Sequence, residues 1–388
     1  MASTQGSRAS DSRLTPGASL FLDVVRLAAA VVVALGHLTQ GEFSSGWRDV
    51  TEYAVESVMA FFLLSGFVIR YVTVTRAEDL RGYLADRASR IYSVLLPALA
   101  FTLLADRAVS GLSHHSYPTD LGGTAHLLGV VLANLSFTSL AWHQNLSPAL
   151  NSPMWSLSFE CFFYLLYGLF FYLAGWRRWL WLLIVAIAAG PEILCLLPVW
   201  VGGCALYAAF LRLRTVRPRA QLVALGGAAA LACLGLWTPV RSRIVTLRDS
   251  SAALFHHGGA ASSSSPHTLW LRALLPHIGH GSVVSLKLYP WAVVLFVAML
   301  LGLLVCDRVP IAAKGRLRRT VAFLAEATFP LYLFHLPLFF LVVAAVGHPL
   351  HSNAAKLTLL AATLALSVAM GHVFNLFKLT IRGWLHPK

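Results

Sequence analysis

Charge is what this sequence has least of. Asp, Glu, Lys and Arg make up 12% of 388 residues, and only 16 are acidic. A soluble domain carries about twice that charged share, so with 57% hydrophobic residues the shortage points to lipid as the solvent. Cysteine patterning is also missing: Cys161, Cys195, Cys204, Cys233 and Cys306 all sit inside apolar runs, with no CxxC or His-paired spacing. They read as small apolar core residues, so neither disulfides nor a metal site is expected. No small-residue cleavage site follows the first apolar run, 20–38, which also carries Arg26 and His37. It reads as a retained first helix rather than a signal peptide. Residues 1–19 lack any apolar stretch and read as a disordered cytoplasmic tail.

What is abundant is arginine. The formal net charge of +14 would suggest nucleic acid in a soluble protein, but here the basic residues cluster in short segments between apolar runs, as at 212–219 and 308–319. Cytoplasmic loops of membrane proteins look like this. No basic stripe interleaved with aromatics accompanies them, so nucleic acid is not an expected partner. The ratio of 25 Arg to 5 Lys, with abundant Ala, Leu and Val, points to a GC-rich bacterial source.

A spanning helix needs about 20 mostly apolar residues. Candidate runs lie near 20–39, 52–74, 91–110, 124–142, 154–175, 179–197, 199–211, 220–238, 286–306, 320–346 and 354–378. With the N-terminus inside, every arginine cluster falls on the cytoplasmic side only if 124–142 does not cross. The expected fold is therefore an all-α polytopic bundle of about ten transmembrane helices plus one re-entrant or interfacial segment. The membrane domain covers 20–380, with a long outer loop at 239–285 and a cytoplasmic tail at 381–388. The histidines of that outer loop, His256, His257, His267, His277 and His280, lack metal-ligand spacing and read as solvated.

An ionisable group inside a span is costly and marks function or a pore. Arg26 and His37 are eleven residues apart, which at 100° per residue places them on one helical face, about 16 Å apart along the axis. Taken alone, Arg26 reads equally well as a snorkelling anchor and His37 as a satisfied interface histidine. Ser65-Gly66 permits a close backbone approach. Arg87 and Arg90, beside Tyr92, suit the phosphates and adenine of a nucleotide-bearing donor, with lipid headgroups as the competing reading. Glu160, two turns into its span behind Trp155, needs a partner, and His37 or an arginine is the candidate. His335 lies mid-span between Pro330 and Pro337, whose freed carbonyls it could simply satisfy.

These elements in order resemble the acyltransferase-3 family of membrane O-acyltransferases. The resemblance rests on Arg26 and His37 with ten residues between them, Phe61 to Phe67 (Phe-Phe-x-x-Ser-Gly-Phe), Arg87 to Tyr92 (Arg-x-x-Arg-Ile-Tyr), Trp155 to Tyr164 (Trp-Ser-Leu-x-x-Glu-x-x-x-Tyr) and Tyr332 to Pro337 (Tyr-Leu-x-His-x-Pro). One departure is Asn375, where many relatives carry Glu. The extra periplasmic hydrolase-like domain of some relatives is not expected in a chain ending at Lys388.

The resemblance implies an enzyme of the bacterial cytoplasmic membrane, with both termini cytoplasmic and no bound cofactor. It would move an acyl group, commonly acetyl, from acyl-CoA to a hydroxyl of a surface glycan or, alternatively, of a secondary metabolite such as a macrolide. On this reading His37 is the general base and Glu160 orients it, while Arg26, Ser65, Arg87, Arg90, Tyr92, Trp155 and His335 bind substrate. A proton-coupled transporter also places Arg, His and Glu inside spans, but commonly with internal repeats, which the two halves lack. A catalytically silent membrane scaffold is the third alternative. Oligomeric state is not legible, since apolar faces meet lipid and partner alike.

Overall fold

The computed structural model describes residues 13–216 and 288–386, apart from Ala77, 113–116, 118–119, 121–122 and 313–314, together with Gly227. Eight described helices are long and apolar enough to cross a bilayer, and the chain is an all-α integral membrane bundle. The helices run in chain order α1 Pro16–Leu38, α2 Thr51–Thr75, α3 Leu80–Leu112, α4 Thr124–Leu135, α5 Trp155–Tyr172, α6 Gly175–Leu213, α7 Tyr289–Cys306, α8 Arg316–Glu326, α9 Thr328–Val346 and α10 Asn353–Leu385. One end of the bundle is rich in arginine. The other carries the loops that follow His37 and His335.

Local chemistry sets where these helices begin and end. Helix α1 opens on Thr15, whose hydroxyl accepts from the Ala18 N–H at 3.2 Å, with Pro16 in the first turn. The helix therefore starts at Pro16, earlier than the expected 20. Ahead of α2, the Asp49 carboxylate accepts from the Thr51 N–H at 2.8 Å and from the Thr51 hydroxyl, which holds its pKa below the usual value. Helix α4 has 12 residues, about 18 Å of helix, too short to cross. The 124–142 run is thus a short helix and a following turn, in keeping with its expected non-spanning role. Helix α10 continues to Leu385, past the expected boundary at 380.

The eight described helices do not by themselves settle the expected count of ten, because one of them reverses within its length and one expected run lies outside the described residues. The runs 179–197 and 199–211 form the single element α6, of 39 residues, which would measure about 58 Å if straight. Its beginning adjoins Tyr172, whose ring lies 5.6 Å from that of Tyr83 at the start of α3. Its end carries Arg214, whose Nε lies 3.4 Å from Asp307 Oδ2 at the same end of the bundle. Both ends therefore reach the arginine-rich side, and the chain doubles back at Gly190, where φ is +76°. Trp142 packs into this reversal and donates its indole N–H to the Ile187 carbonyl at 2.7 Å. The expected break near Pro198 is thus displaced to Gly190-Pro191, and Pro198 lies within the returning arm. The 320–346 run divides at Ala327 into the basic amphipathic helix α8 and the span α9. The 220–238 run, the 239–285 loop and the tail 1–12 lie outside the described residues.

In lipid, helices associate through close packing rather than apolar burial, and small residues permit it. At the α2–α6 contact a Cβ added to Gly66 would lie 2.0 Å from the Trp200 carbonyl oxygen, and one on Gly203 would lie 2.1 Å from that of Leu63. Neither neighbour is a side chain that could swing away. Gly203→Ala is therefore expected to cost about 3 kcal/mol of stability, read as a lowered melting temperature in detergent. Wild-type stability of that variant would show that the two helices can separate freely.

Candidate active site

The close approach of α2 and α6 brings Trp200 to Ser65, with its indole N–H donating to the Ser65 hydroxyl at 3.0 Å. The Ser65 hydroxyl also lies 3.1 Å from the Tyr164 hydroxyl and 3.5 Å from Glu160 Oε1, and Tyr164 itself donates to Glu160. Glu160 and Tyr164 are four residues apart on α5, hence on one face. This cluster forms one wall of a cleft whose lining includes Arg26 from α1, Arg87 and Arg90 from α3, and Ser156 and Tyr332. Phe61, Phe62, Leu64, Leu157 and Phe329 supply its apolar surface.

Three guanidiniums thus meet one carboxylate in the lining. Arg26 is held loosely, 4.0 Å from Asp23 one turn back. Arg87 is held by Asp86 at 3.7 Å and lies 6.0 Å over the Tyr83 ring. Asp86 Oδ1 is also 2.8 Å from Nε of Arg382, so the last helix closes onto the start of α3. An excess of guanidinium around a partly apolar cleft suits a ligand bearing several anionic oxygens and an uncharged arm.

Farther from the arginine-rich end, Tyr332 donates to the Pro153 carbonyl at 3.1 Å and sits 2.9 Å from the Ser156 hydroxyl. One turn beyond Tyr332 is His335, fully buried, with Nε2 3.2 Å from His37 Nδ1. His37 Nδ1 also lies 2.9 Å from the Val33 carbonyl oxygen. The expected pairing of Glu160 with His37 is not what the structure holds: Glu160 engages Ser65 and Tyr164, and the imidazole beside His37 is that of His335. Nor does His335 satisfy the carbonyl that Pro337 frees. That carbonyl, of Leu333, accepts from the buried Asn151 amide at 2.8 Å.

Arg26, Ser65, Arg87, Arg90 and Glu160 come together in the cleft as their motifs suggested, while Tyr92 and Trp155 do not line it. Tyr92 donates to the Leu135 carbonyl at 2.8 Å and anchors the end of α4. Trp155 stands edge-on to Phe159, with ring centroids 5.2 Å apart. Tyr164, Ser156 and Tyr332 lie inside the quoted motifs, yet sequence reasoning gave them no role. Asn375 donates to Glu326 at 3.0 Å, so a Glu at this position would set two carboxylates against each other. Among the described residues, no grouping of His, Cys, Asp or Glu could hold a metal ion.

Fold and cleft describe an integral membrane bundle with three arginines and one glutamate around a partly apolar cleft and a pair of histidines beyond it. The chain belongs to the acyltransferase-3 family: the family's acyltransferase domain matches residues 19–372. It is accordingly a membrane acyltransferase that transfers groups other than amino-acyl groups. Comparison with curated proteins gave no match, and neither did comparison with solved structures.

Proposed function

We propose that this acyltransferase moves an acetyl group from acetyl-CoA, entering at the arginine-rich side, to a hydroxyl of a surface glycan approaching from the opposite side. The arginine clusters support a cytoplasmic placement of that side in a bacterial cell, with both termini cytoplasmic. The observation that carries the reading is the cleft and its neighbour: Arg26, Arg87 and Arg90 line it, and Tyr332 in its wall stands one turn from His335, which with His37 lies just outside the lining. The guanidiniums take the phosphates of the donor, and the apolar lining takes the uncharged arm that carries the thioester.

His37 accepts the proton of the acceptor hydroxyl as its oxygen attacks the thioester carbonyl. The carbon–sulfur bond then breaks, and the departing thiolate takes up a proton, which returns the imidazole to its neutral form. An imidazole suits this task at neutral pH because its ordinary pKa is near 6.5. Glu160 offsets the guanidinium charge and fixes the Ser65–Tyr164 wall.

The test is purified protein in detergent or liposomes, supplied with radiolabelled acetyl-CoA and a panel of glycan and macrolide acceptors. Thiol release matched by label in a glycan supports the proposal; label in the macrolide alone moves the acceptor assignment. Proton-linked flux without thiol release overturns it. Arg26→Lys keeps charge but loses the planar fork, so KM for acetyl-CoA should rise roughly ten-fold with kcat little changed. Unchanged KM would remove Arg26 from donor binding.

A further inference from the structure

The half-buried imidazole of His37 and the buried one of His335 fix each other's protons. His335 Nδ1 lies 3.0 Å from the Leu331 carbonyl oxygen, which only accepts, so that nitrogen carries the proton. In the neutral ring, Nε2 is then a bare lone pair, and it faces His37 Nδ1 at 3.2 Å. His37 Nδ1 in turn faces two acceptors, this lone pair and the Val33 carbonyl at 2.9 Å, and must itself carry a proton. A doubly protonated His335 would meet that N–H with another and would place a charge in a site with 0% exposure. One arrangement satisfies every atom: both rings are protonated on Nδ1, and the lone pair of His37 Nε2, which has no partner among the described residues, is left available.

From this geometry we infer that His335 is the positioning residue for His37, holding it in the tautomer whose Nε2 takes the acceptor proton. The inference rests on the proposed role of His37 as base. When Nε2 of His37 takes the proton, its Nδ1–H still points at an acceptor, so the imidazolium is held by His335 Nε2 and the Val33 carbonyl without any rearrangement. In this role His335 acts through His37 rather than on the substrate itself. It does the work expected of Glu160, and it does so as a neutral acceptor, which a fully buried position tolerates better than a carboxylate. Its surroundings favour a ring there in any case, with Phe339 at 5.7 Å and Tyr332 at 6.4 Å between centroids.

Three substitutions separate this role from packing. His335→Phe fills the aromatic site but offers His37 no acceptor. His335→Asn places its amide near the Nδ1 position and does not reach His37, whereas His335→Gln places an acceptor near the Nε2 position. The expected result is a fall in kcat of about 100-fold for Phe and Asn, recovery to within about five-fold of wild type for Gln, and KM for acetyl-CoA unchanged throughout. Melting temperature and size-exclusion profile are followed for each variant, and if Phe fails to fold the comparison of Gln with Asn decides. Gln no better than Asn, or Phe at wild-type kcat, overturns the assignment. His37→Ala is run alongside: if that variant keeps its activity the proposed mechanism itself falls, whereas an inactive His37→Ala beside fully active His335 variants removes only the positioning role.

Discussion

His37→Ala should lower kcat for acyl transfer by about 10³-fold or more, while the purified protein stays monodisperse and its KM for acetyl-CoA stays within about two-fold of wild type. General-base catalysis by a positioned side chain contributes 10²- to 10⁴-fold, so the loss corresponds to about 4 kcal/mol of transition-state stabilisation. The donor contacts should survive, because the guanidinium of Arg26 belongs to a residue about 16 Å away along the same helix. The fold should survive as well: the removed ring is only half-buried, and the closest packing at this end comes from Phe43, Leu150 and Phe339, which are untouched. Initial rates at saturating and limiting acetyl-CoA separate the two parameters. A kcat near wild type removes the imidazole from proton transfer. A raised KM with intact kcat would move His37 to the donor site instead.

The placement of Arg26 was legible because a helix fixes the angle between residues eleven apart, and nothing outside the helix is needed to see it. Glu160 and Tyr164 share a face for the same reason, and the expense of a carboxylate inside a span made Glu160 visible. Its partner was not visible, because the rotation of α5 against α1 and α2 decides who meets the carboxylate, and that depends on the Gly66–Gly203 approach between α2 and α6. His335 was picked out as ionisable and mid-span, but its pairing with His37 joins the first and ninth helices, and no local pattern encodes it. The reversal in α6 was hidden by two prolines, Pro191 and Pro198, either of which could break a helix. Only Gly190 before Pro191 supplies a left-handed residue at the turn. In α8, hydropathy summed over 320–346 blurred an amphipathic arginine helix into the span behind it.

Asp86 was equally hidden, since an aspartate in a segment of arginines reads as solvated, and Asp86→Ala should be the most destabilising change at the donor end. Its side chain is 6% exposed, with Oδ1 2.8 Å from Arg382 Nε and Oδ2 3.7 Å from both Arg76 and Arg87. The three pairs are not equal. Arg76 is 57% exposed, and its pair contributes a few tenths of a kcal/mol at most. Arg382 is 46% exposed and can turn to water once released. Arg87 is only 11% exposed and cannot, so removing Asp86 leaves a buried guanidinium uncompensated, at a cost of about 3 kcal/mol. The expected outcome is a marked fall in melting temperature together with a several-fold rise in KM for acetyl-CoA, because Arg87 loses the carboxylate that holds it at the cleft. Asp86→Asn keeps the shape and two hydrogen-bonding atoms but not the charge, and should fall between the two. Because His37 lies at the other end of the bundle, kcat at saturating donor should change little in the folded fraction. An Asp86→Ala protein as stable as wild type, with unaltered KM, would mean that the Tyr83 ring and the helix backbone suffice to hold Arg87, and that the carboxylate only ties down the end of α10.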